Sequence, residues 1–233
     1  MPLFRFALTL HILGGALALL SFWLPLVSRK GGRLHRYAGW LYVGAMGLLA
    51  VTGVYISGWR ALWGPAAQRP VNLFLLFIAL LSVSGASMGL RVLRAKGRTG
   101  AHRNPFDLGL SALLLLAALA LEAYGLRLGH PLLMGFAPVG IYAGASQLYY
   151  WLRPPTSRMH WWLEHMGAMG GSALGVIVAF LVLNARHLGL PSTGLGLWLT
   201  PVLVGVPGLK LWQRVYQRRF AARRAAAAPL PTP

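Results

Sequence analysis

MHWWLEHMGAMGGSALGVIVAFLVLNA, residues 159–185, holds one charged side chain, Glu164, and two histidines, His160 and His165, in an otherwise apolar and small-residue run. As a helix rising about 1.5 Å per residue, such a run is long enough to cross the ~30 Å hydrocarbon of a bilayer. A helix is the economical form there, because it satisfies its own backbone hydrogen bonds where no water can. Gly167, Gly171 and Gly175 recur every four residues and share a helix face with His160 and Glu164. A seam of small residues lets neighbouring backbones approach closely, so this helix is expected at the centre of a bundle, with Gly171→Leu destabilising.

Six further stretches have the same character: residues 6–28, 37–59, 71–90, 108–126, 128–152 and 187–209. The fourth and fifth are separated by almost nothing and predict a tight hairpin. The seventh contains Pro201 and Pro207, which predict kinks. The reading is therefore an all-α, polytopic transmembrane bundle of about seven spans, occupying residues 1–215. A basic, Ala- and Pro-rich tail, residues 216–233, is expected to be disordered. Composition agrees: 57% of the 233 residues are hydrophobic and only 11% charged, against about 25% charged in an ordinary soluble domain.

The net charge of +19 would suggest nucleic acid in a soluble protein. Here the basic residues lie between apolar runs, where they set topology and meet anionic lipid headgroups, so nucleic acid is not an expected partner. Seventeen of the 22 basic residues fall in alternate connections, from Arg29 to Arg36, Arg91 to Arg103, Arg153 and Arg158, and from Lys210 onward. Only Arg5, Arg60, Arg69, Arg127 and Arg186 fall in the others. The positive-inside rule puts the N-terminus outside and the C-terminus in the cytoplasm of a bacterial inner membrane. The first apolar run is too long for a signal-peptide core and is read as a retained helix. Cysteine is absent, which excludes thiolate metal sites, cysteine-ligated clusters and covalently attached haem. No phosphate-binding loop, zinc-protease or serine-hydrolase motif is present.

What remains is a set of ionisable groups inside or at the edge of the spans, where they are costly unless employed. One layer, at the basic end, holds His35, His102, His160 and His165 with Asp107 and Glu164. The other holds His11, His130 and His187 with Glu122. His35, His102 and His160 stand beside arginines at helix starts, where a polar side chain is cheaply solvated. His11, Glu122 and His165 lie deeper. Two chemistries use such layers. Haem b needs paired imidazoles at one depth, small residues for the macrocycle and arginines for the propionates. His165 is the first choice of ligand, with His35 or His102 opposite, Arg36 and Arg103 as propionate partners, and His11 for a second haem. A quinone or a redox protein would then be the partner. The alternatives are a metal or proton site from His160, Glu164 and Asp107, a His11–Glu122 relay in a transporter or proton-coupled protein, or an assembly factor without chemistry.

His11-Ile12-x-x-Gly15 followed by Leu34-His35-Arg36-x-x-Gly39-x-x-Tyr42 resembles the bacterial membrane proteins of the domain of unknown function numbered 2306. His102-Arg103 resembles that family's third landmark, but Asn104-Pro105-Phe106 follows it in place of the usual tryptophan–methionine pair. The resemblance covers the first half of the chain. It implies a multi-helix membrane fold and draws attention to His11, His35 and His102, with no activity attached.

Overall fold

The computed structural model describes residues 2–190 and 194–226, which are largely helical and include no strand. Seven α-helices follow one another: α1 (Pro2–Val27), α2 (Arg33–Trp63), α3 (Arg69–Arg91), α4 (Pro105–Leu128), α5 (Pro131–Leu152), α6 (His160–Asn184) and α7 (Leu195–Ala226). Short 3-10 turns precede and follow α3, at Ala66–Gln68 and Val92–Arg94. Six of the helices are long and apolar enough to cross a membrane; α5 falls outside that set. It is 22 residues long and uncharged, but its glycines, prolines and Gln147 dilute the apolar residues. The outside of the bundle is apolar: Leu20, Val51, Leu116 and Leu183 are each more than 60% exposed. A surface like this is stable against lipid, and in water it would drive association.

Local sequence explains the best-defined turns. Pro105 opens α4 where its missing N–H costs nothing, and the Asn104 side chain accepts from the backbone N–H groups of Phe106 and Asp107 at 3.1 and 3.3 Å. At the other end Gly129 takes the left-handed conformation, φ +61°, and the chain reverses directly into α5. The expected hairpin forms, and it is tight. A Cβ on Gly144 would lie 2.7 Å from the Leu115 backbone nitrogen, and one on Gly140 would lie 2.4 Å from the Phe77 ring.

The neighbours differ from expectation. α3 is the hub, touching α2, α4, α5 and α6, whereas α6 touches α1, α3 and α7. The glycine face of α6 does not close on one partner. Gly167 abuts Gln213 of α7 and Gly175 abuts Ser82 of α3, but a Cβ on Gly171, between them, would meet nothing within 4 Å. This face straddles a cleft, so Gly171→Leu is not expected to push a neighbour away.

α7 also differs. It starts at Leu195, after a turn that includes His187, and stays helical through Pro201 and Pro207 to Ala226, well into the expected tail. Alanine and arginine are strong helix formers, and the basic residues need not leave the helix to reach water. Residues 227–233 of that tail lie outside the described chain. The largest core cluster joins Phe74, Phe136, Leu133, Val178 and Val202 from α3, α5, α6 and α7, with Trp198 packed on it.

Candidate functional site

The last four carbonyls of a helix have no partner within it. At the basic end of the bundle, histidines supply two of the missing donors. His35 Nδ1 lies 3.2 Å from the Pro25 carbonyl at the end of α1, and His165 Nδ1 lies 2.7 Å from the Gly89 carbonyl at the end of α3. A carbonyl only accepts, so each Nδ1 carries the proton and each Nε2 keeps its lone pair. The two rings face one another with centroids 6.2 Å apart and planes inclined by 57°. Neither Nε2 has a hydrogen-bond partner among the described residues.

This meeting is between side chains only, with Ala18 and Phe22 of α1 and Ala86 of α3 packed between the deeper parts of α2 and α6. α2 and α6 make no close backbone approach. Seven residues deeper on both helices, on the same faces, Tyr42 and Ser172 meet through a 2.6 Å hydroxyl–hydroxyl bond. The two parallel helices are thus joined by two rungs, His35–His165 and Tyr42–Ser172, about 10 Å apart at ~1.5 Å rise per residue. Gly39 lies on α2 between the rungs, and a Cβ there would meet nothing within 4 Å.

Lys30 stands beside the first rung. Its ammonium donates to the carbonyls of Pro25 and Leu26 at 2.7 and 2.6 Å. Burial holds it below its usual pKa. Arg36 follows His35 directly and is exposed.

His102 is employed elsewhere, which corrects its assignment as the ligand opposite His165. Its Nε2 donates to Asp107 Oδ2 at 2.8 Å, and its ring stacks on Trp151 at 4.6 Å. Asp107 is 4% exposed and also accepts from Arg91 through both carboxylate oxygens. This cluster ties the ends of α3 and α4 to the loop before α4, which carries exposed Arg103. Asp107 is therefore saturated by structural partners. His160 bonds Tyr150, with Nδ1 2.8 Å from the phenol oxygen, and Glu164 has Lys210 and Arg98 as its neighbouring cations. Among the described residues no group of three His, Asp or Glu side chains could hold a metal ion, so His160, Glu164 and Asp107 do not converge.

The other layer does not assemble either. His11 Nδ1 is 2.9 Å from the Thr52 hydroxyl, on α2. Glu122 lies on α4, and α1 and α4 share no contact, which removes the His11–Glu122 pair. Glu122 Oε2 and His130 Nδ1 are buried without partners. No second histidine joins His11, so the second haem loses its support.

Two features escaped the sequence reading. One is a buried cluster of polar side chains among α3, α4 and α5, in which the Ser84 hydroxyl donates to Gln147 Oε1 at 2.9 Å and the Ser111 hydroxyl, 2.7 Å from the Asp107 carbonyl that it donates to, lies 3.2 Å from the same Gln147 oxygen. The other is a continuous cleft of ≈ 3130 Å³ that passes between α1, α2, α3 and α6 and on between α3, α5, α6 and α7. Serines and a glutamine in apolar helices carry no periodic signal, and a cleft exists only once helices are placed. No known protein family, curated protein or solved structure matches this chain.

Proposed function

We propose that this chain is a seven-span protein of the bacterial cytoplasmic membrane that binds haem b between His35 and His165 and serves electron transfer. The observation that carries the reading is the first rung: two imidazoles 6.2 Å apart, each with Nδ1 committed to a backbone carbonyl. Histidines that bind metals through one nitrogen characteristically donate the other N–H to a carbonyl or carboxylate, which fixes tautomer and ring orientation. The donor set fits the group: two imidazoles, each with Nδ1 on a carbonyl and an Nε2 without a partner among the described residues, would hold it. Lys30 and Arg36 supply cations for propionates on the α2 side, and Lys96 is the cation acting on His165. A bound haem would supply one-electron redox chemistry; the chain would supply the two ligands and their tautomers.

The seventh span in this reading is α5, and the basic connections face the cytoplasm, with the N-terminus outside. Reporter fusions after Arg98 should read cytoplasm, and one at Ala66 should read the opposite side. The same side for both would overturn the topology. Protein purified from haem-supplied cells should show a reducible b-type spectrum that His165→Ala and His35→Ala abolish and that His11→Ala and His102→Ala retain. A colourless wild-type protein would overturn the haem reading.

A further inference from the structure

A small pocket of ≈ 280 Å³ lies where α3 gives way to the connection before α4. Arg91, Arg94, Arg98, His102 and Asp107 line it, together with buried Ala95. Neither His35 nor His165 takes part in it.

The connection is held in shape by its own bonds. Arg98 donates through Nη1 to the carbonyls of Gly100 and Arg153, at 3.0 and 2.9 Å, and through Nη2 to that of Tyr150 at 2.6 Å. The His102 backbone N–H donates to the Trp151 carbonyl at 2.7 Å. These bonds fasten the connection to the end of α5. They also bring two side chains to one indole, with the His102 ring 4.6 Å and the Arg98 guanidinium 5.9 Å from the Trp151 ring centre. His102 Nε2 and Arg91 Nη2 meet at a single atom, Asp107 Oδ2, at 2.8 and 2.9 Å.

Charge does not balance inside this frame. Asp107 is the one acid in the lining, and both of its oxygens are taken. Ion pairs among the described residues are confined to Asp107 with Arg91 and with His102. Three guanidiniums therefore stand against one carboxylate, and two positive charges, on Arg94 and Arg98, are left over. Glu164, the other acid at this end, lies beside Lys210 as well as Arg98 and does not line the pocket. Donors are left over too. Arg94 is exposed and makes no hydrogen bond with any described residue, and Arg91 Nη1 keeps both of its N–H groups. Arg98 contributes charge alone, since its Nε is buried and its other nitrogens serve the connection. Gathered cations with free N–H groups favour an acceptor-rich anion of matching charge, and the planar fork of a guanidinium suits two oxygens of one phosphate.

We infer that this pocket binds the dianionic phosphate of a small phosphomonoester, on Arg94 and Arg91 Nη1, with Arg98 supplying charge. A carboxylate or a phosphodiester carries one negative charge and would leave half of the excess uncancelled. The volume is below the ~300 Å³ at which pockets for drug-sized ligands begin, so it admits the phosphate and a few further atoms rather than a nucleotide. The same group is carried by soluble phosphomonoesters and by phosphatidic acid.

The test is a calorimetric titration of the full chain in non-ionic, phosphate-free detergent at about pH 8, above the second phosphate pKa of ~6. Glycerol phosphate and short-chain phosphatidic acid are compared with acetate and short-chain phosphatidylglycerol, their monoanionic counterparts. A phosphomonoester should bind saturably and about tenfold more tightly than its counterpart, the scale of one charge-assisted hydrogen bond. Binding of glycerol phosphate assigns the pocket to soluble ligands, and binding of phosphatidic acid alone assigns it to lipid; both support the inference. Arg94→Gln should weaken the phosphomonoester about tenfold, and the thermal midpoint should not move because Arg94 holds nothing in the fold. Arg103→Gln removes the same charge from an exposed site on the same connection, outside the pocket, and should leave affinity unchanged. Absence of saturable phosphomonoester binding, equal binding of the monoanions, or equal losses in Arg94→Gln and Arg103→Gln would overturn the inference, the last by reducing it to the general field of the basic end.

Discussion

The two ends of this bundle employ their ionisable groups to different degrees, although buried atoms without partners occur at both, Arg98 Nε and His160 Nε2 at the basic end and Glu122 Oε2 and His130 Nδ1 at the other. At the basic end, His35, His165, Lys30 and Arg98 reach helix-terminal carbonyls, and Asp107 gathers Arg91 and His102. At the other end His11 holds one hydroxyl, while Glu122 and His130 keep buried atoms without partners. The number of titratable residues does not make the difference, since each layer contains histidines and an acid. What differs is the supply of complementary groups. Helices ending at the basic end leave carbonyls that only donors can satisfy, and donors are plentiful there. Glu122 lies within a span whose own carbonyls are all taken, and no donor reaches it.

The comparison can be broken most decisively at Asp107. Asp107→Ala strips Arg91 and His102 of their shared acceptor and leaves Arg91 half-buried and unpaired. The expected loss is about 3 kcal/mol, the lower range for breaking a buried pair given Arg91's partial exposure, read as a fall in the thermal or denaturant midpoint in detergent. A change within experimental scatter would mean that the ion cluster at the basic end is no better organised than the other end.

The second rung offers a smaller effect. Tyr42→Phe and Ser172→Ala should each cost about 1 kcal/mol, the net worth of one buried hydrogen bond, and the double variant should cost little more than either single one. Additive losses would show that α2 and α6 are not joined at this depth.

At the opposite end the sign reverses. Glu122→Leu removes a buried, unsatisfied oxygen and should leave stability unchanged or raise it by up to about 1 kcal/mol. A clear loss of stability or activity would reveal a partner for Glu122 and erase the contrast between the ends.

The helical class and the long apolar character of six of the helices were legible in the sequence. Both depend on averages over some 20 residues, such as apolar content, which neighbours cannot alter. The depth of His165 within α6 was legible too, because position along a helix follows from counting residues. The tertiary structure alone decided that its neighbour is His35 rather than His102, that α3 rather than α6 is the hub, that Gly171 faces a cleft, and that His11 and Glu122 never meet. A helix's periodicity fixes which of its side chains share a face. The direction in which that face points is set by packing among all seven helices, and apolar exteriors in lipid leave that packing to small residues and a few polar contacts rather than to any pattern along one segment.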